Sequence, residues 1–185
     1  MITLVRNVGL VLFALCIVAP SAHGASQTVP IGGTGGGPFR ILCPDRQVLV
    51  GFSMRLGSAM DAIGPICARM RKSGKTLRPT TVPAFTGGGG GAGQVVACPF
   101  NSFVHNLNVF VDRYEIVNHV EIRCRNLKNS APFAKWRSTP HGGTPARNYE
   151  VHCQVNQIPN GIHGKSGGLV DSLGMLCDLP SLIVR

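Results

Sequence analysis

Two aspartates recur in one local pattern. Asp61 closes Gly57-Ser58-Ala59-Met60-Asp61 and Asp171 closes Gly167-Gly168-Leu169-Val170-Asp171, and each leads into a short apolar run, Ala62-Ile63 and Ser172-Leu173. A carboxylate fixed in a turn makes charge-assisted hydrogen bonds to hydroxyl or amide donors. Three glycine-rich runs, Ile31 to Arg40, Thr86 to Gln94 and Pro140 to Arg147, can offer backbone amides where no Cβ intervenes. Such a combination serves non-covalent recognition. The other use of each aspartate is to cap its own turn through neighbouring amides.

Patterns that look catalytic fail on their context. Gly164-Lys165-Ser166-Gly167-Gly168 matches a nucleophile elbow in letters, but that motif needs a strand-to-helix turn, and here a second strand-like segment follows. Ser73-Gly74-Lys75-Thr76 resembles the end of a phosphate loop, yet Arg69 stands where the required upstream glycine belongs. His105, His119, His141, His152 and His163 occur singly, without the i, i+4 spacing of a metal-binding helix. The eight acidic residues include no acid/base pair, because the two recurrent aspartates belong to separate repeats. No metal, cofactor or enzymatic activity is expected.

The elements that position these residues follow from repeats. Cys43, Cys98 and Cys153 are spaced 55 residues apart, and each is followed by a second cysteine, Cys67, Cys124 and Cys177. The first and third segments have equal length and share Gln47/Gln157, Gly51/Gly161, Gly57/Gly167, Asp61/Asp171 and Gly64/Gly174. The middle segment is two residues longer; aligned from its end, it places Asn118 opposite the aspartates and Tyr114 opposite Gly57 and Gly167. Only pairing within repeats respects this symmetry, so disulfides Cys43 with Cys67, Cys98 with Cys124 and Cys153 with Cys177 are expected. Each is worth about 3 to 4 kcal/mol on the chain-entropy model.

Short β-branched or alternating runs, Gln47 to Met54 and Asn106 to Val111, are bounded by Gly, Pro and Asn and read as strands. Ile63, Ile66, Leu173 and Leu176 read as inward positions. The expected fold is all-β, with three small antiparallel sheets packed around one core. The glycine runs keep a fixed phase against the cysteines, which favours ordered turns over flexible linkers.

The opening 24 residues have Arg6, an apolar run from Val8 to Ala19 and small residues before Ala25, the layout of a secretory signal peptide. Residues 25–185 then form the expected single domain, with repeats of about 31–78, 86–137 and 140–185. The protein is expected to be secreted, or periplasmic in a bacterium, where disulfides persist. The formal net charge is +10, with only 14% charged residues. Arg69, Arg71, Lys72, Lys75 and Arg78 crowd one inter-repeat segment, and Arg123, Arg125, Lys128, Lys135 and Arg137 the next. Attraction to anionic polysaccharide or a membrane surface follows. Nucleic-acid modules have no signature here, so no specific nucleic-acid partner is expected.

The Gly32-Gly33-Thr34-Gly35-Gly36 loop and the repeated Gly-x-x-x-Asp turns resemble the jacalin-related lectin family, above all its griffithsin-like members with threefold loops and turns. The cysteine pairs resemble a disulfide-containing secreted subgroup and the vitelline membrane outer layer type proteins. The resemblance implies a β-prism of three Greek-key four-stranded antiparallel sheets with internal threefold pseudo-symmetry. It implies carbohydrate binding at Asp61 and Asp171, with Gly57, Gly167, Gly168, Leu169 and Val170 in the turns and Gly33, Gly35, Gly36, Gly88 and Gly90 in the facing loops. It also implies that the first glycine loop lies beside the last turn, and the second beside Asp61. Glycans are the implied partners. Many sugar-binding members carry an aromatic two residues before the aspartate, where this chain has Ala59 and Leu169. A prism that kept the fold, lost the sugar site and adheres to anions through its basic segments is the alternative.

Overall fold

The computed structural model describes residues 26–71, 73, 75, 80–126, 137–138 and 143–183. The expected signal peptide, together with Lys72, Arg78, Lys128 and Lys135 of the basic segments, lies outside the described residues. Thirteen strands are described, with one helical turn, Pro180–Ile183, after the last. Long hairpins form the middle of each sheet: β4 (Gln47–Leu56) with β5 (Met60–Arg69), β8 (Phe103–Val111) with β9 (Val117–Arg125), and β12 (Ile158–Ser166) with β13 (Val170–Asp178).

Each hairpin is completed by the glycine-rich segment of a neighbouring repeat. The first hairpin takes β6 (Thr86–Gly87) and β7 (Ala92–Ala97) in the order β6-β5-β4-β7, and the second takes β10 (Arg137–Ser138) and β11 (Arg147–His152) in the order β10-β9-β8-β11. That is the Greek-key order, in which the fourth strand returns beside the first. The third hairpin is completed by the first described strands: β3 (Gly37–Leu42) pairs with β12, while β1 (Ser26–Gln27) and β2 (Ile31–Gly32) pair with β13. Its outer edge is therefore built in two pieces, and the sheet has five strands. The first and last described strands, β1 and β13, pair in this sheet.

Apolar residues from all three hairpins fill one core. Phe52, Met54 and Leu56 of β4, Leu107, Val109 and Val111 of β8, and Leu173 and Met175 of β13 keep period two and are buried together. Each long first strand carries a bulge, between Leu49 and Gly51, Val104 and Asn106, and Pro159 and Gly161. The bulge resets the phase, so Leu49 and Phe52, or Val104 and Leu107, face the same core. Two of the expected inward positions differ. Ile63 and Leu173 belong to the core, but Ile66 packs with Val48, Val50, Ala68, Met70, Phe103 and Ile158 in a second apolar cluster, and Leu176 belongs to neither. The reason is burial on both faces, which removes the alternation that would distinguish them.

Disulfides join Cys43 to Cys67, Cys98 to Cys124 and Cys153 to Cys177, one across each repeat, as the symmetry required. They lie at the pole where the long first strands begin. The tight turns that follow those strands gather at the opposite pole, together with the glycine loops.

Candidate functional site at the loop pole

The Gly57–Ala59 and Gly167–Leu169 turns close with one backbone bond each, Gly57 N–H to Ala59 O at 2.9 Å and Gly167 N–H to Leu169 O at 2.9 Å. Asp61 and Asp171 follow on β5 and β13, half-buried. The facing loops are anchored alike: Gly88 N–H donates to Asp61 O at 2.7 Å, and Gly33 N–H to Asp171 O at 2.8 Å. The first glycine loop thus lies beside the last turn, and the second beside Asp61.

The loops wrap the carboxylates closely. A Cβ on Gly35 would stand 2.5 Å from Asp171 Oδ1, and one on Gly36 2.5 Å from Asp171 Oδ2. In the second loop a Cβ on Gly91 would stand 2.5 Å from Asp61 Oδ2, and Gly90 approaches Oδ1 closer still. Glycine is required at Gly36 and Gly91 on a second count, since their φ values are +66° and +64°. Among the described residues, no backbone amide donates to either aspartate side chain, so neither caps its own turn. Asp112 shows what capping looks like: its carboxylate accepts from Tyr114 N–H at 2.8 Å and Ile116 N–H at 3.0 Å.

Two basic residues that sequence reasoning passed over complete the sites. Arg55 donates from Nε to Gly90 O at 2.6 Å and from Nη2 to Gly91 O at 3.0 Å. Lys165 donates from Nζ to Thr34 O at 2.9 Å. They occupy the same repeat position, two residues before Gly57 and Gly167, and that recurrence of a cation was the available signal. Each ties the facing glycine loop to the strand that leads into the turn.

The middle repeat is built differently. Its turn holds five residues, and Asp112 rather than Tyr114 takes the place of Gly57, as the bond from Asp112 N–H to Ile116 O at 3.0 Å shows. The two extra residues lie within this turn, which an alignment from the end of the repeat cannot place. Phe110 stands where the others have Arg55 and Lys165, and stacks on His119 with ring centroids 4.1 Å apart. Burial pushes the His119 imidazole pKa down, with Glu121 partly opposing. Asn118, fully buried, donates to Ser58 O at 3.1 Å and contacts His119 Nδ1 at 2.8 Å. Gly143, from the third glycine loop, bonds Ser58 O as well, from its N–H at 2.6 Å. Both Asn118 groups are spent on structure.

Loops and turns interlock around the pole. Gly33 packs toward Glu115 O of the second turn, Gly88 abuts Gly168 O of the third, and Gly143 meets Ser58 O of the first. The Thr86 and Ser166 hydroxyls share a hydrogen bond across the same junction. The expected contact residues are thereby brought together as two sets, Asp61 with Gly57, Gly88 and Gly90, and Asp171 with Gly33, Gly35, Gly36 and Gly167. Gly168 faces the neighbouring loop, Leu169 closes the turn and Val170 is buried in the core. Ala59, at 6% exposure, offers no stacking surface.

Solved structures share this architecture. Malaysian banana lectin matches with a TM-score of 0.61 at 17% identity, covering 84% of this chain and 99% of that one. The chain has the jacalin-related lectin fold. Artocarpin in complex with mannotriose matches this fold with a TM-score of 0.61 at 13% identity, over 84% of this chain and 98% of the other. A mannose-binding jacalin-related lectin from Ananas comosus matches at 0.55 and 16%, over 83% and 97%. No protein-family model matches the chain, and no curated protein is similar to it in sequence.

Proposed function

We propose that this jacalin-fold chain is a secreted, non-enzymatic carbohydrate-binding protein with two saccharide sites, one at Asp61 with the Gly87–Gly91 loop and one at Asp171 with the Gly32–Gly37 loop. The observation that carries the reading is that both carboxylates are wrapped by bare glycine backbone yet uncommitted within the described residues. A sugar ring matches that arrangement, because two adjacent hydroxyls donate to one carboxylate while a loop amide donates to a ring or hydroxyl oxygen. Several structural neighbours are named as mannose-binding or as complexes with mannose oligosaccharides, which makes mannotriose the first probe. Three disulfides support an oxidising compartment.

The test is Asp61→Asn together with Asp171→Asn. Loss of glycan retention on an array with thermal stability nearly unchanged is expected; retained binding refutes the site assignment. Buried Ala59 favours the competing reading, adhesion to anionic polysaccharide or membrane through the basic segments. That reading requires retention to vanish between low and moderate salt and to resist neutral monosaccharides.

A further inference from the structure

A groove of about 590 Å³ opens at the disulfide pole, on the outer face of the second sheet. It lies about 20 Å along β8 from the turn that follows that strand, at ~3.3 Å per residue. Its floor is His105 and Asn106 of β8, Arg125 of β9, and Glu150 and His152 of β11, and its wall is the Gln154–Gln157 turn.

The register explains the meeting of these residues. Asn106 pairs with His152 on one side and with Arg123 on the other, while Phe103 pairs with Arg125. His105 is the extra residue of the β8 bulge, between the pairs at Val104 and Asn106. Bulges re-aim a side chain. The equivalent bulge residue of the first repeat, Val50, is buried in the outer apolar cluster; here an imidazole is turned toward the groove instead.

The polar groups are unevenly satisfied. The Asn106 amide nitrogen donates to Glu150, but Asn106 Oδ1 is buried without a partner. His152 Nδ1 contacts Cys153 O at 3.1 Å. The ion pair of the described residues joins Arg147 to Glu115 at the other pole, so Arg125 has no carboxylate partner among them. The charged and titratable groups facing His105 are Arg125 from β9 and Glu150 and His152 from β11. Basic groups outnumber the acidic one, whose oxygen is engaged by Asn106.

We propose that this groove is a further binding site, for a carboxylate-bearing saccharide, with the carboxylate held between Arg125 and His105 and the sugar hydroxyls lying against the Gln154–Gln157 wall. A planar guanidinium suits a carboxylate, and the exposed amides of Gln154 and Asn156 supply the mixed donors and acceptors that hydroxyls need. The site does not depend on the loop-pole reading. Burial, Arg125 and His152 hold the His105 pKa below its ordinary 6.5, with Glu150 opposing. A bound anion favours the imidazolium, so binding tightens as pH falls.

Calorimetry of the full chain with trigalacturonate at pH 7.5 and pH 5.5, beside its uncharged methyl ester, tests the site. The acid is expected to bind and the ester not to, Arg125→Gln to weaken binding about tenfold or more, and His105→Gln to remove the tightening at pH 5.5. Asp61→Asn/Asp171→Asn is expected to leave trigalacturonate binding unchanged, which separates this site from the loop-pole sites. Melting temperatures of both groove variants confirm that they fold. Equal binding of the ester, unchanged binding in Arg125→Gln, or equal weakening by Arg69→Gln/Arg71→Gln overturns the proposal. A sulfated disaccharide binding as tightly as trigalacturonate overturns the carboxylate assignment.

Discussion

Replacing Gly35 and Gly90 together by alanine separates the position of the carboxylates from the integrity of the fold. A Cβ at Gly35 would stand 2.5 Å from Asp171 Oδ1, and real Cβ contacts essentially never fall under 3.0 Å, so the carboxylate must move by at least about 0.5 Å. Backbone strain does not enter, because neither glycine has a positive φ. Aspartate is half-exposed and can swing on its own torsions at about 0.5–1.5 kcal/mol, while glycine-to-alanine regains about 0.4–1 kcal/mol through the unfolded chain. The net stability change is therefore within about 1 kcal/mol, or a melting shift under about 4 °C. A hydrogen bond of about 2.8 Å lengthened by half an ångström is largely lost. Each charge-assisted bond is worth about 1.5–3 kcal/mol, so on the proposed saccharide reading mannotriose affinity should fall about ten- to one-hundredfold. Gly37→Ala/Gly89→Ala is the control, since a Cβ at either meets nothing within 4 Å. Calorimetry and thermal melts of both pairs give the answer. Wild-type affinity in Gly35→Ala/Gly90→Ala, or an equal loss in the control, would refute the reasoning.

Gly36→Ala and Gly91→Ala have the opposite profile, because both residues have positive φ and a Cβ would strike the backbone of Ser166 or Leu56; each should cost about 1–3 kcal/mol, seen as a lower melting temperature. The pH dependence of stability has a sign set by His163, whose pKa is lowered from 6.5 mainly by burial, with Arg40 adding to it and the bond to Thr28 O opposing. The unfolded chain takes up the proton first, so stability present above pH ~6.5 is lost as pH falls toward the lower folded value; urea midpoints should drop from pH 7 to pH 5, and less so in His163→Gln. Asn118→Asp restores the letter of the motif but no site, because its carboxylate would face Ser58 O in place of an amide donor; about 1–3 kcal/mol of stability should be lost, with mannotriose stoichiometry unchanged by calorimetry.

The parts of the molecule legible in the sequence are those with a period. Cysteines spaced by 55 residues gave the disulfides and three units, and Gly57/Gly167 with Asp61/Asp171 gave two equivalent turns. What escaped lacks a period or is hidden by it. Ile66 and Leu176 are apolar on a face opposite the core, and two buried faces leave no alternation to read. The longer middle repeat could be aligned from either end, and only the Asp112-capped turn shows where its two extra residues lie. Arg55 and Lys165 did recur, but a search for carboxylates and amides passes over the cations that hold the loops. His105, Arg125, Glu150 and His152 come from three strands, and a bulge and the strand register, not spacing, bring them together.

The middle repeat has a physical role of its own in this arrangement. Each glycine loop leans on the turn of another repeat, so the positions of Asp61 and Asp171 are coupled through the Gly88–Gly168 junction and the Thr86–Ser166 hydroxyl pair. A site that must bind sugar keeps an open carboxylate, which contributes nothing to holding the ring together. Asn118 contributes instead, because its amide bonds Ser58 in the turn that leads to Asp61, beside the bond from Gly143. Buried and fully used, it braces one side of the Asp61 turn while Arg55 braces the facing loop. Fixing the geometry before binding lowers the ordering cost paid on association. On the reading proposed above, two open sites and one closed brace are a consistent division, since the residue that gives up recognition is the one whose bonds stiffen a neighbour that retains it.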